Sequence, residues 1–384
     1  MSRIQNKYMK AVIPRGEHNL SLAAVRSLGK KNINTTVVSQ YKNTLSFQSK
    51  YCHNKIVADK YPDFFQTLSE DNLILPTDEY IMIELAKNQS HYKCSLAFPE
   101  YSILEFALNK KILLDRAKEL NIPCPKTIFV QDTCVCRDLL DQITFPAVIK
   151  PVRGAGGDGI SFIDSGTQLE EIVEKSIQKF GPLLIQEKIP YRERYSVAIL
   201  MNKDHDMRSC CVLKALRTYP VNTGPATFVE SVNRPDLVNL GNALLQSINF
   251  YGVAEIEFVI DQRDNTPKLM EINPRLWGSL QGAINAGVDF PFLLYTLFRD
   301  GDIDQNLNYR KGVRTRNAIG NDHRRLGKII GGNNPISIKI TSVIEFLQFY
   351  KDDGYYIFDL EDMQPFTCYF IHTIRRTLES IFSH

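Results

Sequence analysis

Two acidic segments in the second half of the chain carry the side chains best suited to chemistry. Residues 255–261 and 268–273 alternate polar and apolar side chains with the period of a β-strand, and residues 262–267 between them are typical of a turn. In a hairpin centred near Asp264, Glu257 lies opposite Glu271, and Glu255 lies opposite Asn273. The pattern therefore predicts these four polar side chains on one face. The other face takes the apolar residues of the same strands and suits a core: Ile256, Phe258, Met270 and Ile272.

This polar face has two interpretations. Like charges directly opposite each other on adjacent strands are destabilising, so such a face requires a physical reason. Hard cations such as Mg²⁺ bind carboxylate and amide oxygens and keep open positions for nucleotide phosphates, which favours a magnesium–nucleotide site. The alternative is an ordinary solvated face of a hairpin, and the hairpin alone leaves both open.

A glycine-rich segment provides the second candidate element. Residues 154–159 read Gly-Ala-Gly-Gly-Asp-Gly, which matches GxGxxG, but a predicted strand at 160–163 follows instead of the helix that a dinucleotide site requires. We therefore predict a flap between two strands, whose glycines let backbone N–H groups approach a ligand. Lys150 ends the preceding strand, 147–150, and can reach phosphate as a point charge. A surface hairpin with an exposed lysine is the alternative.

Composition excludes several classes of protein. The 384 residues suffice for about two or three domains, each with its own core. The net charge is +3 and no Lys/Arg run is interleaved with aromatic residues, so we expect no nucleic-acid partner. The eight cysteines form no CxxC pair, which argues against a zinc ribbon or a thioredoxin-type site. No apolar run has the length of a signal peptide or a membrane span, and we expect a cytoplasmic protein without a membrane partner.

The elements around these candidates alternate in type. Residues 10–100 predict strands alternating with helices, hence a parallel sheet. Their first strand leads into Pro14-Arg15-Gly16-Glu17 and not into a glycine-rich turn, so a nicotinamide site there is not expected. One long helix is predicted over 104–120, two longer strands about the turn 203–206, and helices near 341–351 and 366–382. In the last helix, Phe370, Ile374 and Leu378 have helical spacing, and we expect them to pack internally.

The order of these pieces resembles the ATP-grasp superfamily of ATP-dependent ligases. The resemblance runs from about residue 104 to about residue 297, and residues 10–100 resemble the domain that precedes the ATP-grasp fold. Within the superfamily, residues 252–287 look most like the carboligase-type branch that includes D-aspartate ligase and, more distantly, carbamoyl-phosphate synthase. The resemblance implies an α/β (α+β) fold with a parallel-sheet domain at 1–104, ATP-grasp subdomains at 105–190 and 191–325, and a mixed, helical extension at 326–384.

The resemblance also implies roles for individual residues. Phosphate contacts are expected from Lys110 in the helix, from Lys150, and from the flap glycines Gly154, Gly156, Gly157 and Gly159. The adenine edge is expected along Glu187, Lys188 and Ile189, and the magnesium ligands are Glu257, Glu271 and Asn273. Where many family members have a ribose-binding glutamate, this chain has Arg194, with Glu193 one residue earlier as the candidate. Catalytic roles are expected for Arg275, Lys150 and Arg217. Arg275 would steady the transferred phosphoryl group or the acyl phosphate, and both arginines are candidates for a substrate carboxylate. A surface arginine is the alternative for Arg217.

The implied activity is ligation. A carboxylate attacks ATP in the presence of Mg²⁺, or of Mn²⁺ as an alternative ion, to give an acyl phosphate and ADP. An amine or a similar nucleophile then displaces phosphate. The expected partners are small amino-acid-like acids and amines, with a homodimer as one option for assembly. An ATP-grasp phosphotransferase or a nucleotide-sensing regulatory protein without ligation remains the alternative.

Overall fold

Three β-sheets organise the chain. The computed structural model describes residues 9–132, 142–154, 159–166, 169–221, 223–349 and 352–382, with the backbone alone for 376–382. Within these residues the fold is mixed α/β, as predicted, and the sheets follow one another along the sequence. None of the helices in the described part of the chain is long and apolar enough to cross a membrane.

The first sheet is parallel and has five strands in the order β3-β2-β1-β4-β5. The strands are β1 Lys10–Ile13, β2 Thr35–Ser39, β3 Asn54–Val57, β4 Asn72–Ile74 and β5 Ser95–Leu96. The helices are α1 Asn19–Gly29, α2 Tyr61–Phe65, α3 Glu79–Lys87 and α4 Tyr101–Leu108. The predicted parallel sheet is therefore confirmed. The sequence pattern missed β3, which is mostly exposed, and β5, which has only two residues.

The second sheet is antiparallel and has four strands in the order β6-β9-β7-β8. Its elements are α5 Lys110–Glu119, β6 Thr127–Val130, β7 Ala147–Pro151, β8 Ser161–Ile163, α6 Leu169–Phe180 and β9 Leu183–Glu187. Strands β7 and β8 pair directly, with Ile149 opposite Ser161. The glycine-rich segment therefore joins two paired strands, as predicted for a flap.

The third sheet has seven strands in the order β14-β13-β10-β11-β12-β15-β16. The strands are β10 Tyr191–Met201, β11 Met207–Thr218, β12 Ala226–Ser231, β13 Gly252–Asp261, β14 Pro267–Asn273, β15 Arg314–Arg316 and β16 Gly354–Tyr355. The helices are α7 Pro235–Ser247, α8 Leu280–Asn285, α9 Phe290–Asp300, α10 His323–Gly331, α11 Ile336–Leu347 and α12 Gln364–Phe382. The helix predicted near 341–351 corresponds to α11, which begins and ends earlier in the chain.

Both faces of the third sheet are buried over part of their area. On one face, Val197, Ile199 and Ile256 belong to a core shared with helix α7. On the other face, Leu213 and Val229 join the core of helices α1 and α9, which also holds the buried Trp277. The Trp277 ring packs edge-on against Phe290, with ring centroids 5.2 Å apart. The sheet thus connects the N-terminal domain to the remainder of the chain.

The long helix predicted over 104–120 is divided in two by Asn109. This residue leaves the helical conformation, with φ −87° and ψ 98°. Its side-chain oxygen accepts hydrogen bonds from the backbone N–H groups of Lys111 and Ile112, at 3.1 and 3.2 Å, and so caps helix α5. The consequence for function is that Lys110 stands at the first turn of α5, where the helix dipole favours anions.

The acidic hairpin has the predicted register on its polar face. Glu255 is opposite Asn273, and Glu257 is opposite Glu271. A bulge then shifts the pairing, so that Phe258 is opposite Leu269. Leu269 is fully buried and Met270 is only half-buried, so the prediction that Met270 enters the core is wrong.

Candidate active site

Two carboxylates of the hairpin, those of Glu255 and Glu271, converge on the Asn273 amide. Asn273 Nδ2 donates to Glu255 Oε2 at 3.1 Å and to Glu271 Oε1 at 3.4 Å. Ser196, on the adjacent strand β10, donates a short hydrogen bond to the other oxygen of Glu255. In the described residues, no three His, Cys, Asp or Glu side chains are gathered as a complete metal site. A cation here would therefore depend on Asn273, water and ligand oxygens, as Mg²⁺ usually does beside nucleotide phosphates.

The electrostatics of this face fit a cation. Burial raises the pKa of Glu257, and the neighbouring charges of Glu271 and Glu255 raise it further, against the opposing effect of Arg194. Burial likewise raises the pKa of Glu255, partly offset by its hydrogen bond from Ser196. A bound divalent cation would relieve this mutual repulsion. The residues present therefore suit Mg²⁺, with Glu257, Glu271 and Asn273 as the side chains that would hold it.

Two lysines face these carboxylates from the other subdomain. Lys110 Nζ donates to the Gly154 carbonyl at 2.8 Å and lies 4.0 Å from Glu271 Oε2. Lys150 is buried, and burial together with the charge of Lys110 lowers its pKa to about 8, while Glu271 and Glu257 act in the opposite direction. By contrast, Lys111 is paired with Asp115 at 2.8 Å on the exposed side of α5. The geometry therefore brings Lys110 and Lys150 to the acidic face, and leaves Lys111 outside it.

Arg275 links the site to the N-terminal domain. Its Nε and Nη2 both lie 2.9 Å from Glu79 Oε1, at the start of helix α3. Its Nη2 also donates to Asn273 Oδ1 at 3.1 Å. Burial raises the pKa of Glu79, and Arg275 opposes that shift. Glu79, Lys110, Gly154, Glu271 and Asn273 line a common pocket, so Glu79 is a site residue that the sequence interpretation missed.

The two ends of the flap are described, and both ends need glycine. Gly154 has φ 146° and Gly159 has φ 74°, in the region that side chains rarely adopt. A Cβ on Gly159 would also come within 2.7 Å of Pro151. Gly156 and Gly157 lie outside the described residues. The flap therefore begins beside Lys110 and shortly after Lys150 in the chain, and a phosphate contact is predicted for both lysines.

The predicted adenine edge is only partly available. The Glu187 side chain accepts from the Lys126 N–H at 2.9 Å and pairs with Arg263 at 3.0 Å. The Lys188 N–H donates to the Pro146 carbonyl at 2.9 Å, and Ile189 is buried. The Glu187 N–H also donates to the Lys126 carbonyl at 3.0 Å, so an adenine contact by Glu187 would have to come from its backbone carbonyl.

Glu193 is not brought to the acidic face. Its carboxylate accepts from the Tyr195 hydroxyl at 2.8 Å and forms a short ion pair with Lys214, which lowers its pKa. Tyr195 belongs to the core under helix α7, on the opposite side of the sheet. Because side chains alternate along β10, Arg194 takes the site face instead, 3.9 Å from Glu257 and 2.7 Å from the Gly224 carbonyl. The alternation of side chains along the strand could have identified Arg194 as the residue that points to the site face.

Arg217 belongs to a separate charged cluster. It lies 3.4 Å from Asp322 and stacks on the Phe228 ring, with its guanidinium carbon 4.5 Å from the ring centroid. Asp322 also pairs with the fully buried Arg316 at 2.6 Å, and Arg316 contacts Asp352 at 3.3 Å. Burial lowers the pKa of Arg217. Arg217 therefore lies among other charged residues at the end of the third sheet, and not with the glutamates of the acidic hairpin.

The sequence comparisons agree with this architecture. Residues 107–279 match the family model described as the ATP-grasp domain. The chain therefore contains a segment that matches the ATP-grasp domain, and this segment covers the second sheet and the third sheet up to the helix that follows the acidic hairpin.

The similar proteins with curated names are ligases. The chain is 25% identical to D-aspartate ligase of Enterococcus faecium over 250 residues, 56% of this chain and 59% of the relative. It is 23% identical to the carbamoyl phosphate synthase large chain of Vibrio cholerae over 212 residues, 49% of this chain and 20% of the relative. The chain thus matches less than two thirds of the length of each of these relatives.

Solved structures share the fold at low sequence identity. N5-carboxyaminoimidazole synthetase from Staphylococcus aureus has a TM-score of 0.66 at 15% identity, over 84% of this chain and 85% of that chain. Biotin carboxylase from Campylobacter jejuni, solved as a complex with an ATP analogue, has a TM-score of 0.65 at 13% identity, over 80% of this chain and 74% of that chain. These likenesses show a shared fold over 80% or more of this chain.

Proposed function

We propose that this chain is an ATP-dependent ligase that joins a small carboxylic acid to an amine through an acyl phosphate. The observation that carries the proposal is the acidic face of Glu257, Glu271 and Asn273, with Lys110 and Lys150 opposite it. This arrangement pairs cation ligands with phosphate-binding cations, the combination that phosphoryl transfer requires. The similarity to D-aspartate ligase supports amino-acid-like substrates.

In the proposed reaction, the substrate carboxylate attacks the γ-phosphorus of ATP, and the bond to the ADP oxygen breaks. Glu257, Glu271 and Asn273 would hold magnesium, or manganese in its place, and the ion would supply neutralisation of the phosphate charge. Lys110 and Lys150 bind the phosphate oxygens, and Arg275 holds the transferred group. The amine then attacks the acyl carbon, loses a proton, and displaces inorganic phosphate to give an amide.

The flap has a separate task in this mechanism. An acyl phosphate hydrolyses if water reaches it, so the segment between Gly154 and Gly159 is proposed to cover the phosphates during the reaction. Because Lys110 Nζ holds the Gly154 carbonyl, the flap base is already attached to the phosphate site. We propose the cytoplasm, which holds ATP and free amino acids, as the location of this reaction.

Phosphate release from ATP across a panel of amino acids, with bicarbonate as an alternative acid, tests the proposal. We expect release that requires Mg²⁺, one acid and one amine together. Positional isotope exchange, with oxygen-18 in the β,γ-bridge of ATP, should report scrambling with the acid alone. Phosphate transferred to a hydroxyl or histidine acceptor, without an acid–amine product, would replace the ligase with a phosphotransferase.

A further inference from the structure

Helix α11 exposes a continuous apolar surface. Ile336, Ile340, Ile344 and Leu347 are 77%, 55%, 54% and 62% exposed. Their spacing places them on one side of the helix, and we call this set the apolar stripe. Ser342 is the buried residue of α11, so the helix rests on the protein body through a different side. Contiguous exposed apolar surface of this kind marks an interaction site.

Helix α12 also exposes apolar side chains. Phe370, Ile371 and Ile374 are 41%, 60% and 43% exposed. The sequence pattern predicted internal packing for Phe370, Ile374 and Leu378; the structure leaves the first two exposed, and the Leu378 side chain lies outside the described residues. Two helices of the same C-terminal region therefore present apolar side chains to solvent.

Charge is distributed unevenly over this region. Most of its acidic residues pair with basic residues of the protein body. The pairs are Asp352 with Arg316, Asp359 and Glu361 with Lys30, and Asp362 with Arg26. Arg324 and Lys328 instead stand exposed on α10, which packs against α11. Glu345 is the acid of α11, and its position in the helix turns it away from the apolar stripe.

We propose that α10 and α11 dock this protein onto an anionic lipid surface. The exposed apolar stripe of α11, with exposed cations on the helix packed against it, has the pattern of a helical surface that lies in the plane of a bilayer interface. With 12 residues, α11 is too short to span a bilayer, so docking is peripheral. This proposal replaces our sequence-based expectation of no membrane partner. A second copy bound through the same stripe would bring its own Arg324 and Lys328 to the interface, whereas an anionic bilayer supplies the opposite charge. This inference is independent of the proposed ligase activity.

Vesicle flotation with the full chain tests the proposal. We compare vesicles of phosphatidylcholine alone with vesicles that also contain phosphatidylglycerol, at low and high salt. The native protein should float with the anionic vesicles at low salt and be released at high salt. The double variant Ile340→Ser/Ile344→Ser should lose roughly tenfold or more in binding, because it removes two apolar side chains that would enter the bilayer. Arg324→Ser/Lys328→Ser should lower binding and weaken its salt dependence.

Ile338→Ser is the matched control. Ile338 is 47% exposed on the same helix but lies on roughly the opposite side from the apolar stripe, so binding should stay within about twofold. Circular dichroism and thermal unfolding report that all variants remain folded. Equal flotation of the native protein and the double variant would overturn the proposal. So would a native dimer that the double variant converts to a monomer, with no flotation of either, because the occupant would then be a second copy.

Discussion

Lys150→Met should make the ligand-free protein more stable and its ATP binding weaker. Burial lowers the pKa of Lys150 from 10.5 to about 8. Since one pKa unit corresponds to about 1.36 kcal/mol, the buried charge costs roughly 3 kcal/mol of folding free energy at pH 7. Methionine has a similar length and no charge, so it should recover most of this cost. The gain in folding free energy would come from removing a charge that is proposed to bind phosphate.

The gain should depend on pH in a defined direction. Between about pH 8 and pH 10.5 the unfolded chain keeps the Lys150 proton while the native protein loses it, so the native protein gains stability as pH rises. The advantage of Lys150→Met should therefore be full near pH 7 and fall to about 1 kcal/mol near pH 10. Urea unfolding of both proteins at both pH values, in the presence of a chelator, measures it.

Lys111→Met is the control for this prediction. Lys111 is 40% exposed and paired with Asp115 on the surface of α5, so its replacement should change stability by at most about 0.5 kcal/mol. For MgATP, Lys150→Met should raise the dissociation constant roughly 10- to 100-fold, because a charged hydrogen bond is worth about 1.5–3 kcal/mol. A Lys150→Met protein that is less stable than the native protein at pH 7, or equally more stable at both pH values, would refute the reasoning.

Three further predictions address the site. Glu271→Gln and Asn273→Ala should each lower phosphate release by about 100- to 1000-fold at saturating magnesium, with unchanged thermal unfolding; near-normal turnover in both would contradict the metal assignment. Lys110→Ala should raise the ATP dissociation constant more than Lys111→Ala, since only Lys110 reaches Gly154 and Glu271, and equal small effects would contradict this. Glu79→Gln should lower kcat roughly tenfold with little change in the KM for ATP, because Arg275 loses the charge that positions it; an unchanged kcat would contradict it.

Local periodicity predicted much of the site, and its limits are physical. Alternation along two strands predicted the pairing of Glu255 with Asn273, because side-chain period and turn chemistry are local properties. The bulge beyond Glu257 was missed, because the adjacent apolar residues Leu269 and Met270 both suit a core position. The bulge places Leu269 in the core and leaves Met270 half-buried. Asn109 carried a capping signal, but the apolar spacing on both sides of it continued without interruption.

Long-range contacts were beyond the reach of the sequence pattern. Glu79 and Arg275 are 196 residues apart in the chain, and no periodicity relates them. The cluster of Arg217, Arg316 and Asp322 likewise forms only where strands from distant segments end together. Which arginine meets which carboxylate is decided by the packing of the sheets, which a single sequence does not encode locally.

The contact between Glu79 and Arg275 limits how freely the two parts of the chain could be recombined. The N-terminal domain supplies the anion for an arginine of the ATP-grasp domain, and the Pro76 carbonyl accepts from the Leu276 N–H at 2.9 Å beside it. A fragment that begins after helix α4 would leave Arg275 without its counter-charge. A chimera with another parallel-sheet domain would need a carboxylate at the equivalent helix start. The two domains are thus matched to each other at this border, and exchanging one of them alone would break the contact.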